Sequence, residues 1–130
     1  VFVAGRKFEY LKERMLGYEE LMKLPVMCLE GNTSTRTYVE QFLASKQVTI
    51  RPEFELATSD MLIQFAVRNL GIASVVRNFA EEHLAEGDLF ELRFLEEIPA
   101  RTFCIVANER IPLSAAAATL MNVLVQGTSQ

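Results

Sequence analysis

The sequence has few of the side chains on which catalysis and metal binding usually depend. It contains one histidine and two cysteines, Cys28 and Cys104, and each cysteine lies in an apolar run without Cys-x-x-Cys spacing. That context predicts two buried, reduced thiols rather than a disulfide or a metal site. His83 lies among glutamates and has no serine or cysteine beside it in sequence, so no nucleophile–base pair is apparent. We therefore predict no catalytic residue, no metal, no cofactor and no enzymatic activity.

Long apolar runs and glycine-rich loops are also missing. No stretch approaches about 18 uninterrupted apolar residues, and no basic-then-apolar leader opens the chain, so neither a transmembrane helix nor a secretory signal is predicted. Together with the reduced thiols, this favours a cytoplasmic protein. Only Gly31 is available near the first strand–helix junction, which excludes a P-loop or dinucleotide fingerprint. Because the chain opens at Val1 within an apolar strand-like run, we expect it to be part of a longer or processed protein.

Basic charge is scarce as well. The 13 Lys and Arg residues are outnumbered by 17 Asp and Glu residues, for a net charge of −4. Since duplex DNA is usually bound by basic surfaces, this chain alone is a poor DNA-binding candidate. Much of the acidity lies within residues 81–97. There Glu82, His83 and Glu86 share one helical face and offer metal-type ligands, but such an acidic run is typical of a solvated surface.

The residues that are present predict one α/β domain. Half of them are apolar and 23% are charged, which suffices for a hydrophobic core and a soluble surface. Short apolar runs alternate with helical patterns, which indicates a mainly parallel sheet with helices on both faces. The predicted strands cover 1–4, 26–29, 48–56, 72–76, 89–95 and 101–107. The predicted helices cover 18–24, 35 or 38 to 46, 59–70, 78–86 and 112–125, followed by a loose tail over 127–130.

Several helix ends also carry local signals. Gly71 and Gly87 each follow a helical pattern, at the position where a left-handed C-cap belongs. Asn78 and Glu81 have the spacing of an N-cap and its partner three residues later, which predicts a capping box at the third long helix.

Hydroxyl side chains are concentrated at two of the predicted helix starts. Residues 32–37 read Asn-Thr-Ser-Thr-Arg-Thr between a strand and a helix, and Thr58-Ser59-Asp60 repeats the arrangement one βα unit later. In parallel sheets, helix N-termini meet at one edge, where both starts could bind one small carboxylate or phosphate. The alternative is capping, by Thr37 with Glu40 in the first case and by Thr58 or Ser59 in the second. Asp60 would repel an anion if it faced the same crevice.

Beyond these patterns, an ordered set of short motifs from Val26 onward resembles the effector-binding domain of LysR-type transcriptional regulators. The motifs, in chain order, are Leu29-Glu30-Gly31 before Thr33-Ser34-Thr35-Arg36, then Phe54-Glu55-Leu56-Ala57-Thr58-Ser59, Leu70-Gly71-Ile72, Glu86-Gly87-Asp88-Leu89 and Pro112-Leu113-Ser114-Ala115. Each motif is short, and it is their order along the chain that makes the resemblance specific.

The resemblance implies a type 2 periplasmic-binding-protein-like fold, in which this 130-residue domain is mainly one three-layer, Rossmann-like α/β lobe. Residues 6–99 would be the second effector lobe and 1–5 and 101–107 hinge-like strands. Residues 112–125 would form a helix that packs on a first lobe missing from this chain. The residues implied to contact the effector are Thr33, Ser34, Thr35, Thr58, Ser59 and, as a weaker match, Arg77.

The resemblance also implies partners. The effector would be small and polar or carboxylated, and the chain would form a homo-oligomer. DNA would be bound only through a helix-turn-helix domain absent from this chain, and no membrane is involved. Effector binding would shift the arrangement of the lobes and, through the oligomer, of the DNA-binding domains.

Two other classes of protein fit the same patterns. One is the solute-binding protein of a transport system, which would share the fold. The other is a flavodoxin-like FMN-binding domain, whose phosphate loop also follows a strand and is rich in hydroxyls.

The last predicted helix carries a separate expectation. Its apolar face comprises Leu120, Met121, Leu124 and Val125. Burying each such side chain contributes roughly 1.5–3 kcal/mol. Without a first lobe, we expect this face to self-associate or to fold back onto its own sheet.

Overall fold

The computed structural model describes residues 1–101 and 114–128. The chain divides into two compact units, Val1–Ile98 and Pro99–Gln130. The strand predicted over 101–107, including Cys104, lies outside the described residues except for Arg101. No helix in the described part of the chain is both long and apolar enough to cross a membrane.

The first unit is built from short strands and helices. Its strands are β1 (Phe2–Ala4), β2 (Met15–Leu16), β3 (Val26–Leu29), β4 (Phe54–Leu56), β5 (Ile72–Ser74), β6 (Phe90–Glu91) and β7 (Arg93–Phe94). Its α-helices are α1 (Ser34–Ser45), α2 (Ser59–Val67) and α3 (Arg77–Glu86), and two 3₁₀ helices cover Arg6–Leu11 and Tyr18–Lys23.

The main sheet has five strands in the order β4-β3-β5-β1-β6. β3 runs parallel to both β4 and β5, whereas β1 is antiparallel to β5 and β6. β2 and β7 form a separate parallel pair. The carboxyl ends of β3, β4 and β5 therefore point to one edge of the sheet, and each of these three strands leads into an α-helix there.

The helices cover both faces of the sheet, which confirms the predicted three-layer α/β fold. Alternate residues of a strand point to opposite faces, so Cys28 and Ile72 pack on one side and Met27 and Ala73 on the other. Leu43 of α1 belongs to the first of these core clusters. The second contains side chains from α2 and α3: Leu62, Ile63, Ala66 and Ala80.

Two predicted strands are shorter than their apolar patterns. The strand expected over 48–56 is reduced to β4, because the backbone N–H of Val48 bonds the α1 carbonyl of Leu43 and sheet pairing begins only at Glu53. The strand expected over 89–95 divides at buried Leu92 into β6 and β7, which pair with β1 and β2 in different sheets. In both cases hydrogen bonding to distant segments overrides the local pattern.

The end of α2 also differs from the prediction. Left-handed backbone is adopted by Asn69, with φ of 63°, and not by Gly71. The helix ends at Val67, three residues before its predicted end at Leu70, and Leu70 is 46% exposed. Gly71 is required for another reason, because a Cβ there would lie 2.7 Å from the carbonyl oxygen of Pro25.

The boundaries of α3 are partly as predicted. Gly87 ends the helix with φ of 83°, which confirms the left-handed cap. Asn78, however, is not the N-cap: the helix begins at Arg77, and its N-cap residue Val76 provides no side-chain hydrogen bond. The capping box expected from Asn78 and Glu81 is therefore wrong.

In the second unit, α4 spans Ala115–Thr128. Ser114 precedes it and its Oγ accepts a hydrogen bond from the backbone N–H of Ala117 at 3.1 Å, as expected for a capping serine. The helix continues through residues 127 and 128, which were predicted to be a loose tail. Along it, Leu120, Leu124 and Val125 are exposed.

Candidate ligand-binding site

Two hydroxyl-bearing helix starts lie at the same edge of the sheet. α1 follows β3 and α2 follows β4, and these parallel strands are neighbours with Leu29 in register with Leu56. Thr33 and Thr58 are the N-cap residues of the two helices. The topology thus brings together two positive helix ends, as predicted, and such ends attract anionic groups.

At the α1 start, the hydroxyl of Thr33 is fully engaged in local structure. Its Oγ1 accepts a hydrogen bond from the N–H of Arg36 at 3.2 Å and donates one to the carbonyl oxygen of Glu30 at 3.0 Å. The expected capping residue, Thr37, lies inside the helix instead and donates to the carbonyl of Thr33 at 3.1 Å. Capping occurs, but four residues earlier than Thr37 with Glu40 would place it.

At the α2 start, the hydroxyl of Thr58 retains a proton to donate. Its Oγ1 accepts from the N–H of Met61 at 3.2 Å, and within the described residues it donates to no acceptor. The side chain is exposed. Because capping uses only the oxygen lone pair, the O–H is available to an acceptor on a ligand.

The other predicted hydroxyls flank these two caps. Ser34 is the exposed first residue of α1, and Ser59 is the half-buried first residue of α2. Thr35 is half-buried and lines a cavity beneath α1. Asp60 is exposed in the first turn of α2, where its carboxylate complements the helix dipole.

Arg77 lies at the same edge but is directed elsewhere. It is the first residue of α3, its side chain is 63% exposed, and Nη2 lies 3.9 Å from Oε2 of Glu91. Glu91 is on β6, which is separated from β5 by β1, whereas β3 and β4 lie on the other side of β5. The guanidinium therefore points away from the two hydroxyl-bearing helix starts.

Arg36 connects α1 to β3 and β4 through hydrogen bonds of its side chain, a role that the sequence patterns did not predict. Its side chain is only 11% exposed and donates to the carbonyl oxygen of Leu29 and to Glu55, both at 2.9 Å, and to Glu40 at 2.6 Å. Burial alone would lower the pKa of Arg36, but the hydrogen bonds to Glu55 and Glu40 outweigh it and raise the pKa. The pairing with Glu40 has i, i+4 spacing and is readable from sequence, whereas the pairing with Glu55 requires β4 to lie beside β3.

Cys28 lies behind the α1 start. It is a free, buried thiol, as predicted, and burial raises its pKa from 9.0 to about 11. At neutral pH it is protonated, so it acts as a small apolar side chain and not as a nucleophile.

The acidic segment forms a different cluster from the one considered in the sequence. The side chains that approach one another are His83, Glu86 and Asp88, whose ligand atoms lie within 4.8 Å, and Glu82 is not among them. Nδ1 of His83 is 3.4 Å from Oδ2 of Asp88, a contact made possible by the left-handed turn at Gly87. All three are solvent-accessible, as is common for acidic groups at the end of a helix.

The fold and the polar edge define an α/β lobe of the kind that holds a small ligand beyond the carboxyl ends of its strands. The chain belongs to the LysR substrate binding domain family, whose pattern it matches over residues 1–129. Its fold is accordingly periplasmic-binding-protein-like. This confirms the effector-binding domain of a LysR-type regulator over the solute-binding-protein and FMN-binding alternatives, and the family is one of transcriptional regulators.

Individual transcriptional regulators are also similar to this chain. The HTH-type transcriptional activator CmpR of Synechocystis is 27% identical over 73 residues, which cover 56% of this chain and 24% of that protein. The regulatory domain of CcmR from Synechocystis, solved in complex with 2-PG, has a TM-score of 0.73 at 17% identity, covering 98% of this chain and 62% of that one. Full-length HypT of Salmonella typhimurium, a hypochlorite-specific LysR-type regulator, has a TM-score of 0.62 at 17% identity. The similarity covers 95% of this chain and 41% of that one. The chain thus spans about a quarter of the curated relative's length, and the solved structures show a shared fold.

Proposed function

We propose that this domain binds a small polar or carboxylated effector at the edge formed by the starts of α1 and α2. The observation that carries the proposal is the hydroxyl of Thr58. It caps α2 by accepting a hydrogen bond, is exposed, and keeps its proton for an acceptor on the ligand. A carboxylate there would also benefit from the positive ends of two neighbouring helices.

The six predicted contact residues have unequal parts in this proposal. Thr58, Ser59 and Ser34 supply hydroxyl donors, and Thr35 contributes from the half-buried side of α1. Thr33 acts mainly by holding the helix start in place, since both of its hydrogen-bonding functions are used locally. Arg77 adds long-range positive potential to the edge and makes no direct contact, since its guanidinium points toward β6.

The proposed activity is a coupling and not a reaction. Effector binding between this lobe and a first lobe would favour one arrangement of the lobes, and a homo-oligomer would pass the change to DNA-binding helix-turn-helix domains elsewhere in the protein. We propose that the protein acts in the cytoplasm and catalyses no step. The absence of a basic excess agrees with DNA binding by another domain.

The test is a thermal-shift screen with small carboxylates, amino acids, aromatic acids, phosphates and FMN. A ligand present at about 100 times its Kd should stabilise the fold by about 2.7 kcal/mol. We expect Thr58→Ala to weaken binding of a carboxylate by about tenfold to a hundredfold, since a hydrogen bond to a charged group contributes about 1.5–3 kcal/mol. Thr58→Ser keeps the hydroxyl and should bind as the wild type does. Unchanged binding by Thr58→Ala would refute the site, and stabilisation by FMN alone would refute the preference for small carboxylates.

The proposed oligomer can be tested at α4, where Leu120 and Leu124 are exposed. Leu120→Glu with Leu124→Glu should shift the chain to a monomer in sedimentation velocity. Asn122→Glu adds charge at another exposed position of the same helix and should leave the association intact. A wild-type chain that is monomeric at all concentrations would refute self-association.

A further inference from the structure

A cavity of about 270 Å³ lies beneath α1, on the face of the sheet that carries Cys28. Its walls come from β3, α1 and the segment that leads back to β4. The lining is largely aliphatic and includes Leu29, Val39, Leu43, Val48, Ile50 and Pro52. We propose that this cavity is a second ligand site, which takes a small neutral aromatic molecule carrying one hydroxyl, such as a phenol.

Ser74 supplies the polar group that such a ligand would meet. It is 7% exposed, is the only buried polar or charged residue in the described core, and lines the cavity. Its position two residues after Ile72 places its side chain on the α1 face of β5. Within the described part of the chain, the Ser74 hydroxyl has no hydrogen-bond partner. Every side-chain polar atom there that lacks a partner is accessible to solvent, so the Ser74 hydroxyl is accessible as well. The hydroxyl therefore faces the cavity and needs a partner from whatever fills it.

The charges around the cavity exclude an anion. Arg36 lines one end, but its guanidinium is already bonded to two carboxylates, those of Glu40 and Glu55. One positive and two negative charges leave a net negative environment, in which a carboxylate ligand would be repelled. A neutral hydroxyl avoids this cost and can still bond Ser74.

The volume sets the size of the ligand. An apolar cavity of about 150 Å³ is enough to bind benzene in a protein core. The cavity beneath α1 is larger than that and smaller than most drug-sized pockets, which start at about 300 Å³. A single substituted ring matches both limits.

This site goes beyond the proposed effector function and has the opposite charge preference. The edge at Thr58 favours carboxylates, whereas the cavity favours neutral rings. The two sites nevertheless share α1, since Thr35 and Arg36 both line the cavity next to the cap at Thr33. Occupancy of the cavity can therefore bias the position of the α1 start.

The experiment is an amide NMR titration of the 130-residue chain with phenol, which should shift the signals of Leu29, Val39 and Ile50. Ala44→Trp places a large ring at an exposed position of α1 that lines the cavity, and should abolish these shifts. Gln41→Trp is the matched control, because Gln41 is exposed on the same helix and does not line the cavity. Phenol binding that survives Ala44→Trp, or no binding at millimolar phenol, would overturn the proposal.

Two further arms separate this site from the effector edge. Ser74→Ala should weaken phenol binding by about threefold to tenfold and leave toluene binding unchanged, since only phenol can bond the hydroxyl. Benzoate should not compete with phenol, and Thr58→Ala should not affect phenol. If benzoate displaces phenol, or Thr58→Ala weakens phenol, the two ligands share the effector edge and the cavity is not a separate site.

Discussion

The starts of α1 and α2 have the same local design and different freedom to bind a ligand. Each follows one of two neighbouring parallel strands and each is capped by a threonine that accepts a backbone N–H at 3.2 Å. Thr33 also donates to Glu30, and its helix start is tied to the sheet by Arg36. Thr58 donates to no acceptor within the described residues. The α1 start is thus held in place by hydrogen bonds of its own side chains, whereas the α2 start presents an exposed hydroxyl.

The difference shows how a ligand site can be built from two similar turns. A hydroxyl whose donor and acceptor functions are both satisfied locally can position a helix but contributes little new binding. A neighbouring hydroxyl that is only half used can bind without disturbing its helix. Four substitutions test this division between a structural threonine, Thr33, and a binding threonine, Thr58. The largest effect on stability is expected at Arg36.

Arg36→Met should destabilise the fold by about 2–3 kcal/mol, because it removes a largely buried donor from the Leu29 carbonyl and leaves two carboxylates unpaired. Arg77→Met is the matched control at the start of α3. Because the Arg77 guanidinium is exposed and lies 3.9 Å from Glu91, its loss should lower the free energy of unfolding by less than about 0.5 kcal/mol. Chemical denaturation measures both, and equal losses would show that Arg36 does not anchor the α1 start.

Thr33→Ala should cost about 1–2 kcal/mol, because it removes the α1 cap and the bond to Glu30 together. Thr33→Ser retains both bonds and should remain close to the wild type in the free energy of unfolding. A Thr33→Ala variant as stable as the wild type would mean that the α1 start is held by Arg36 alone.

Cys28, behind the α1 start, predicts a loss of stability at high pH. Its pKa is raised by burial to about 11, from 9.0 in an unfolded chain, so the folded state holds the proton more tightly. Below the unfolded pKa of 9.0, the thiol contributes its full share to the free energy of unfolding. This contribution is lost as the pH rises from 9.0 to the folded pKa of about 11, by about 1 kcal/mol for each pH unit. Denaturation curves at increasing pH should show this decline, and Cys28→Ala should flatten it. An unchanged slope in Cys28→Ala would assign the decline to other groups, among them Tyr18, whose pKa is raised to about 12 by burial and by Glu96 and Glu97.

Thr58→Ala should destabilise the fold less than Thr33→Ala does, by about 0.5–1 kcal/mol, because it removes only the α2 cap. Its effect on effector binding should be the larger one. If Thr58→Ala destabilises the fold more than Thr33→Ala does, the division between a structural and a binding threonine is wrong.

Much of the fold could be predicted from the residues themselves. Apolar runs located β1, β3 and β5, helical periodicity located the long helices, and Gly87 marked the end of α3, because these features depend on local spacing. The hydroxyls at both helix starts were also recognisable. The sequence did not show whether Thr33 or Thr37 caps α1, since each of several hydroxyls in this short segment could accept a hydrogen bond from a backbone N–H at the helix start.

The alternation of strands and helices, the polar edge and the family can all be inferred from the sequence, since each depends on residue type and order along the chain. Which side chains come into contact depends instead on the tertiary structure. It placed Glu55 against Arg36, turned Arg77 toward Glu91, shortened β4 to three residues, and put Gly71 against the carbonyl of Pro25. It also left Ser74 facing a cavity. Each of these features joins segments that are distant in sequence, and their positions are fixed only when the sheet is assembled and the helices are packed on it.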